Sequence, residues 1–374
     1  MRRVLNVFRL SVKELWSLRA DPVMMVLIVY AFTAAVVTVA KGVKLEVSNA
    51  AVAMVDLDHS VLSGRLADAL TAPYFRRPVQ VSRAEADRGM DHGAYSFAIE
   101  IPPAFEADVL RGRRPEIGVT VDATAMAQAG NGVAYIQQIV TQEVATYLLA
   151  QGVDARLPIA TTMRMYFNPN LDGTRFNAVM QVINSITILS IILVGAAVVR
   201  EREHGTIEHL LVMPVSAAEI ALSKVLANSL VILVVVTFSV EIVVKKLLGV
   251  PVAGSMPLFL AGTAIYLFST TSLGILLATV ANSMPQLGLL AIPVFVTMQL
   301  LSGGITPLES MPDALQKAMH VSPSVYFVQF AQAILYRGAG LSVVWPQLLT
   351  MAGIGAVFLV WAITRFRAML AKAG

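Results

Sequence analysis

Apolar residues along this chain gather into long runs, separated by short charged stretches and by one extended segment of mixed character. The runs Val23–Ala40, Ala178–Val199, Val225–Val244, Leu258–Val280, Gln286–Leu301 and Val343–Ile363 each come near the ~20 residues needed to cross a ~30 Å hydrocarbon core. They predict six transmembrane helices, the fifth short and carrying Pro293. Residues 1–22 show a different periodicity. Val4, Leu5, Phe8, Val12, Leu15 and Trp16 share one helical face, with Arg2, Asn6, Arg9 and Lys13 opposite, the pattern of a basic helix lying in the membrane interface. Asp21-Pro22 ends it. A cleaved signal peptide is the rival reading, but the charged stretch is too long for one and the following run is long enough to span.

The extended segment, residues 41–177, reads as an α+β domain. Strand-like runs are Ala51–Leu57, Val79–Ser82, Tyr95–Ile101 and Ile117–Asp122. Ser82-Arg-Ala-Glu85 is a capping box opening a short helix. Pro102-Pro103 starts another, which Gly112 ends, and a helix from Ala127 to Ala150 follows. Residues 302–342 have helical periodicity broken by prolines and are too short and polar to span. They predict a re-entrant helix pair, tolerable in lipid only when covered by protein or facing a cavity. The remaining divisions are a connecting loop at 200–224 and a basic tail at 364–374.

Composition agrees with the pattern. Of 374 residues, 56% are hydrophobic and 14% charged, and the mean hydropathy is +0.70, values that exclude a soluble domain and a disordered chain. The net charge of +4 is too small to imply nucleic acid. The absence of cysteine removes disulfides, thiolate metal sites and cysteine nucleophiles. Short segments on one side of the predicted membrane carry Arg2, Arg3, Arg9, Lys13, Arg19, Arg200, Arg202, Lys224, Arg365, Arg367 and Lys372, against Lys245, Lys246, Lys317 and Arg337 on the other. Both termini are therefore expected in the cytoplasm. The insert mixes 13 basic and 15 acidic residues, and long translocated domains escape that rule, so it is expected in the periplasm. No internal repeat is evident, which argues against an inverted-repeat secondary transporter.

The most informative stretch is Arg200-Glu-Arg-Glu-His-Gly-Thr-Ile-Glu-His209. Four charges leave the second span, Gly205 permits a bend, and Thr206 can cap a short helix over Ile207–Val212 that Pro214 breaks. Ser216-Ala-Ala-Glu219 is a second capping box. A solvated loop is the plain alternative, but the apolar Leu210–Met213 beside the charges favours protein docking. In the second span Asn177, Gln181, Asn184 and Ser185 share one stripe, consistent with helix–helix hydrogen bonding or with a substrate path. Glu241 can pair with Lys245. No carboxylate or histidine is expected at mid-membrane depth, which argues against an ion relay.

The five histidines, His59, His92, His204, His209 and His320, are scattered. Asp56-Leu-Asp58-His59 reads as a strand end leading to a cap at Ser60 rather than a metal site. Leu301-Ser-Gly-Gly304 matches four residues of an ATPase signature loop, yet the chain has no Gly-x-x-x-x-Gly-Lys-Ser/Thr phosphate loop. The glycine pair reads as a helix end.

Taken together, these residues resemble the permease subunits of type-2 ABC exporters, in the subgroup with a large insert after the first span. The resemblance covers the whole chain. It is carried by Arg200 through Ser216, and by Leu301-Ser-Gly followed by Pro307, Met311-Pro312, Gln316, Pro323 and Tyr326-Phe327. In the insert it is carried by Val55 to Ser60, Ile101 to Phe105, Gly112 and Val121-Asp122. Gly304 and Ile305 depart from the pattern, which more often has a bulky apolar pair there.

The resemblance implies a multidrug-efflux-like permease in the bacterial inner membrane. It would pair with a second copy or a paralogue and sit on two separate ABC ATPase subunits. ATP and Mg would be bound by those subunits, with no cofactor, metal or catalytic residue in this chain. Arg200, Glu201, Arg202, Glu203, His204, Gly205, Thr206, Glu208, Leu211 and Pro214 would form the ATPase-coupling segment. Asn177, Gln181, Asn184 and Ser185 would line the translocation path, while Ser302, Gly303, Pro307, Met311, Pro312, Pro323, Tyr326 and Phe327 would form the outer gate. Cargo would be an amphiphilic small molecule, a drug or a lipid-like compound. A periplasmic adaptor and an outer-membrane channel often complete such pumps. The alternative is a membrane receptor or scaffold whose ectodomain binds a ligand or partner and which transports nothing.

Overall fold

The computed structural model describes residues 2–42, 49–92, 94–121, 126–152, 173–205, 215–305, 308 and 311–373. The chain divides into two compact units, Val43–Gly173 and the remainder formed by Met1–Gly42 with Thr174–Gly374.

The chain begins with α1 (Arg2–Arg19), whose Glu14 and Leu18 are buried while Val4, Phe8 and Trp16 stay exposed. Asp21 caps the next helix, accepting a hydrogen bond from the Met24 backbone N–H at 3.1 Å. The predicted first span is not one continuous helix. It breaks at Thr33 into α2 (Pro22–Phe32) and α3 (Ala34–Gly42). Thr33 is β-branched, and its hydroxyl bonds back to the Val29 carbonyl at 2.5 Å, a habit that bends helices.

The insert carries a mixed four-stranded sheet in the order β2-β1-β3-β4. Strand β1 (Val52–Asp56) leads through α4 (Val61–Ala69) to β2 (Val79–Gln80), which pairs with it in parallel. The chain then crosses through α5 (Arg83–Asp91) to β3 (Phe97–Ile101), parallel to the other side of β1. After α6 (Phe105–Leu110) comes the antiparallel edge strand β4 (Gly118–Val121), then the long α7 (Met126–Ala150). Period-two alternation builds the layers. Val52 and Met54 of β1 join Leu62, Leu66, Phe105, Ile136 and Tyr147 in one core, while Ala53 and Val55 face Ala86 of α5. The parallel crossovers correct the α+β reading to an α/β one, since strand periodicity does not reveal pairing direction. The Ser82–Glu85 capping box forms, and a second joins Ser60 to Ser63.

Helix α8 (Gly173–Glu203) carries the second predicted span. Next come α9 (Ala217–Phe238), begun by the Ser216–Glu219 capping box, and a wider turn with i→i+5 bonding over Ser239–Leu247. They are followed by α10 (Met256–Val280) and α11 (Met284–Leu300). Two short helices, α12 (Asp313–Met319) and α13 (Pro323–Leu335), precede α14 (Leu341–Ala373). Five helical stretches, Pro22–Gly42, Gly173–Glu203, Ala217–Leu247, Met256–Val280 and Leu341–Leu370, are long and apolar enough to cross a membrane. The predicted fifth span forms α11, an apolar helix of 17 residues.

The break in the first span is compensated by neighbours. The Ala31 carbonyl accepts from the Ser185 hydroxyl of α8 at 2.8 Å, and the Phe32 carbonyl from the Ser239 hydroxyl at 2.7 Å. Where no water reaches, such hydroxyls satisfy carbonyls that a kinked helix frees. Helices α8 and α10 meet closely at Gly274, where a Cβ would come 2.7 Å from the Ile191 carbonyl oxygen.

Candidate functional site

The C-terminal end of α8 gathers more charge than any other part of the membrane unit. Each of its four consecutive charged residues reaches a different element. Arg200 pairs with Asp21 at the start of α2. Glu201 accepts from Lys13 of α1 at 2.6 Å and from Lys224 of α9 at 2.8 Å. Arg202 donates to the Ala281 carbonyl at 2.5 Å and to the Asn282 side chain at 3.3 Å, at the end of α10. Glu203 accepts the Met284 backbone N–H at 2.9 Å. It thereby serves the first turn of α11, whose own N-cap, Ser283, makes no side-chain bond.

Lys224 is the buried centre of this junction. The Lys224 side chain has no exposed surface, and its Nζ also donates to Glu14 of α1 at 3.0 Å and to the Ala197 carbonyl at 3.4 Å. Lys13 lies 3.3 Å from Glu14, so two cations alternate with two anions, the arrangement that makes buried charge tolerable. Burial works against the Lys13 ammonium, but the hydrogen bond and charge of Glu201, with Glu14 beside it, push its pKa above the usual value. Burial likewise opposes the Asp21 carboxylate, and the Met24 N–H together with Arg200 outweigh it and hold that pKa below the usual range.

All four side chains of Arg200–Glu203 are engaged within the chain, with Glu203 still exposed. The structure corrects one expectation. Lys224 is not a loop charge but sits in the third turn of the capped helix α9. Sequence reasoning also missed Glu14, Asp21 and Asn282. One signal was present: Lys224 stands among apolar residues just inside a strong capping box. After Glu203 the helix stops, His204 bonds back to the Arg200 carbonyl at 2.9 Å, and Gly205 takes φ of +67°, a conformation suited to glycine. Thr206, Glu208, Leu211 and Pro214 lie outside the described residues, as does the predicted helix Ile207–Val212.

The predicted path residues lie along α8. Ser185 and Asn177 are buried, and Ser185 bonds to Ala31 as above, with Gln181 3.5 Å from its hydroxyl. Farther along α8, Thr187 meets the Tyr266 hydroxyl at 2.7 Å and Ser190 meets Thr270 at 2.7 Å, both on α10. Ser185 therefore serves helix packing, one of its two sequence readings.

The predicted gate residues divide. Ser302 bonds to the Gln299 carbonyl at 3.1 Å, and Gly303 takes φ of +87°. Met311 packs with Leu308, Met319 and Val325 in a small cluster. Pro312 precedes α12, and Pro323 starts α13. Tyr326 donates to the His320 carbonyl at 3.2 Å. Phe327 is wholly buried in the bundle, stacked on Tyr266 with ring centres 3.9 Å apart. Pro307 lies outside the described residues. Glu241 pairs with Lys245 at 2.5 Å.

In the insert, Asp56 accepts the Asp58 and His59 N–H groups at 3.0 Å and the Ser63 hydroxyl at 2.7 Å. Asp58 accepts the Glu106 N–H at 3.0 Å. These carboxylates are occupied by the turn itself. Glu106 accepts from the Leu62 N–H at 3.0 Å and the Tyr147 hydroxyl at 2.7 Å, which hold its pKa below the usual carboxylate range. Such a group adds stability above its unfolded pKa and loses it as pH falls through the lower folded value. Tyr147→Phe is therefore expected to cost about 1 kcal/mol at pH 7. The difference from wild type should shrink as pH falls below the usual glutamate range, as read by hydrogen exchange in the insert. A groove of about 660 Å³ also lies in the insert, floored by Val109, Val140, Val144 and Leu148 and rimmed by Arg113 and Arg114.

Comparison with known proteins agrees with this architecture. Residues 22–364 match the family described as "ABC-2 family transporter protein". The chain is 49% identical over 367 residues to "Inner membrane transport permease YhhJ" of Escherichia coli (strain K12), covering 98% of each. It is 30% identical over 349 residues to "Probable multidrug ABC transporter permease YbhR" of the same organism, covering 90% of this chain and 91% of the relative. "Probable multidrug ABC transporter permease YbhS" is 26% identical over 275 residues, 71% of each. With its apolar spans, its helical bundle and a match running through nearly all of them, the chain belongs to the ABC-2 family of membrane-embedded transporter permeases.

Proposed function

We propose that this chain is the export permease of an ATP-driven pump, with hydrolysis confined to separate ATPase subunits. The observation that carries the reading is the junction at the end of α8. Residues 200–203 tie α8 to α1, α2, α9, the end of α10 and the start of α11, directly before the segment expected to dock on the ATPase. A displacement applied at 206–214 is thereby delivered to several spans as one body rather than to a single helix. The Thr187–Tyr266 and Ser190–Thr270 bonds extend the connection to α10, on which Phe327 of α13 stacks.

In this reading two permease copies, identical or paralogous, face each other with their termini in the cytoplasm. Helix α11 crosses as the fifth of six spans, residues 302–342 close the outer side, and the insert projects into the periplasm. Cargo is an amphiphilic small molecule, in keeping with the word "multidrug" in the names of two relatives, and an adaptor and outer channel receive it. The insert groove favours a second reading, a ligand-binding receptor without transport.

Glu203→Lys separates the two readings. It removes the charge-assisted bond to α11 while leaving the buried pairs intact. Loss of about 0.5–2 kcal/mol at this exposed helix cap should reduce ATP-driven export about twofold to thirtyfold, with membrane insertion unchanged. Export at the wild-type rate would remove the coupling role from this junction.

A further inference from the structure

We propose that α1 and the start of α9 hold the phosphate headgroup of an anionic phospholipid. Between the two helices lies a cavity of about 590 Å³ lined by Arg2, Arg3, Asn6 and Arg9 of α1 and by Ser216 and Glu219 at the start of α9. Three guanidinium groups thus face one carboxylate, and that carboxylate is already occupied. Glu219 accepts from the Ser216 backbone N–H at 2.6 Å and hydroxyl at 2.8 Å, and from the Asn6 amide at 3.4 Å. Arg2 and Arg9 have no ion-pair partner among the described residues. A phosphate oxygen pair fits the guanidinium fork in a bidentate manner and neutralises the excess charge.

A second feature selects lipid as the source of that phosphate. Arg2 and Arg9 are seven positions apart and lie on one helical stripe. Beside it runs an apolar stripe on which Val4 is 75%, Phe8 65% and Trp16 64% exposed. The chain enters a membrane span at Pro22, so this stripe lies at the membrane surface, where acyl chains cover it. Arg19 sits over the Trp16 ring at 5.5 Å, a pairing common at interfaces. An acidic protein partner would satisfy the arginines but leave Phe8 and Trp16 in water. A free phosphate would do the same. The proposal does not depend on export or on which way the chain is oriented.

The test is native mass spectrometry and a binding titration of the detergent-purified chain with dioleoyl phosphatidylglycerol, dioleoyl phosphatidylcholine and inorganic phosphate. Phosphatidylglycerol should be retained preferentially, and the R2Q/R9Q variant should bind it about 30-fold more weakly, at about 1 kcal/mol for each basic residue. R2K/R9K should recover much of the loss. R365Q/R367Q, which alters exposed basic residues elsewhere, should bind as wild type. If R2Q/R9Q fails to fold, R9Q alone is expected to lose about fivefold. Equal retention of the two lipids, equal weakening by R365Q/R367Q, or unchanged binding by R2Q/R9Q would overturn the site. A response to inorganic phosphate with no lipid preference would overturn the lipid assignment.

Discussion

Lys224→Met is expected to destabilise the membrane unit by about 3 kcal/mol, because it removes the buried cation that two largely buried carboxylates share. Lys224 has no exposed side-chain surface and lies 3.0 Å from Glu14 and 2.8 Å from Glu201. Without its ammonium, Glu14 and Glu201 still have Lys13 beside them, but its own side chain is half exposed and balances two buried carboxylates poorly. Methionine matches the stem of lysine and fills the space, so the loss is electrostatic rather than a cavity. The triple variant Glu14→Gln, Glu201→Gln, Lys224→Met tests this interpretation. Removing all the buried charge is expected to recover most of the stability, since neutral replacements of a buried ion cluster are often no worse than the cluster itself. Thermal unfolding in detergent is the measurement. A triple variant no more stable than K224M would show that packing, not charge, holds the junction.

Phe327→Ala is expected to cost about 3–5 kcal/mol, the range for removing a buried aromatic ring. Phe327 stacks on Tyr266 at 3.9 Å with the rings 6° from parallel, and Phe330 and Phe259 follow at 6.2 and 6.4 Å. Gly262 makes room for the Phe330 ring, since a Cβ there would overlap it. The substitution should lower the melting temperature strongly, with Phe327→Leu intermediate. A side chain whose main task is to line a gate would behave otherwise, altering transport and leaving the melting temperature near wild type. The same thermal scan distinguishes the two.

Five apolar helices long enough to span, the capped helix starts and the Gly205 bend were legible because each rests on local chemistry. Twenty-residue apolar runs, Ser-x-x-Glu boxes at Ser82 and Ser216, and a glycine after a charged helix end all act within a few residues of themselves. The parallel pairing in the insert was not legible, because alternation along Val52–Asp56 is the same for either strand direction. The junction was half legible. Its four charges stood out at 200–203, but their partners are Lys13, Asp21, Lys224 and Met284, between about 20 and 190 positions away along the chain. A charge run therefore looks solvated until the fold brings its counterions. The burial of Phe327 was not legible for a similar reason, since a polar, proline-rich neighbourhood does not reveal that one aromatic side chain turns into the bundle.

The central claim is that this permease moves cargo by means of an ATPase it does not itself contain. The most direct measurement is uptake of a fluorescent amphiphile into inside-out membrane vesicles that contain the chain and a coexpressed ABC ATPase. The account predicts uptake that requires ATP and both proteins, is blocked by vanadate, and is reduced in the Glu203→Lys variant. Uptake without ATP, or a stable chain that engages no ATPase and moves nothing, would contradict it.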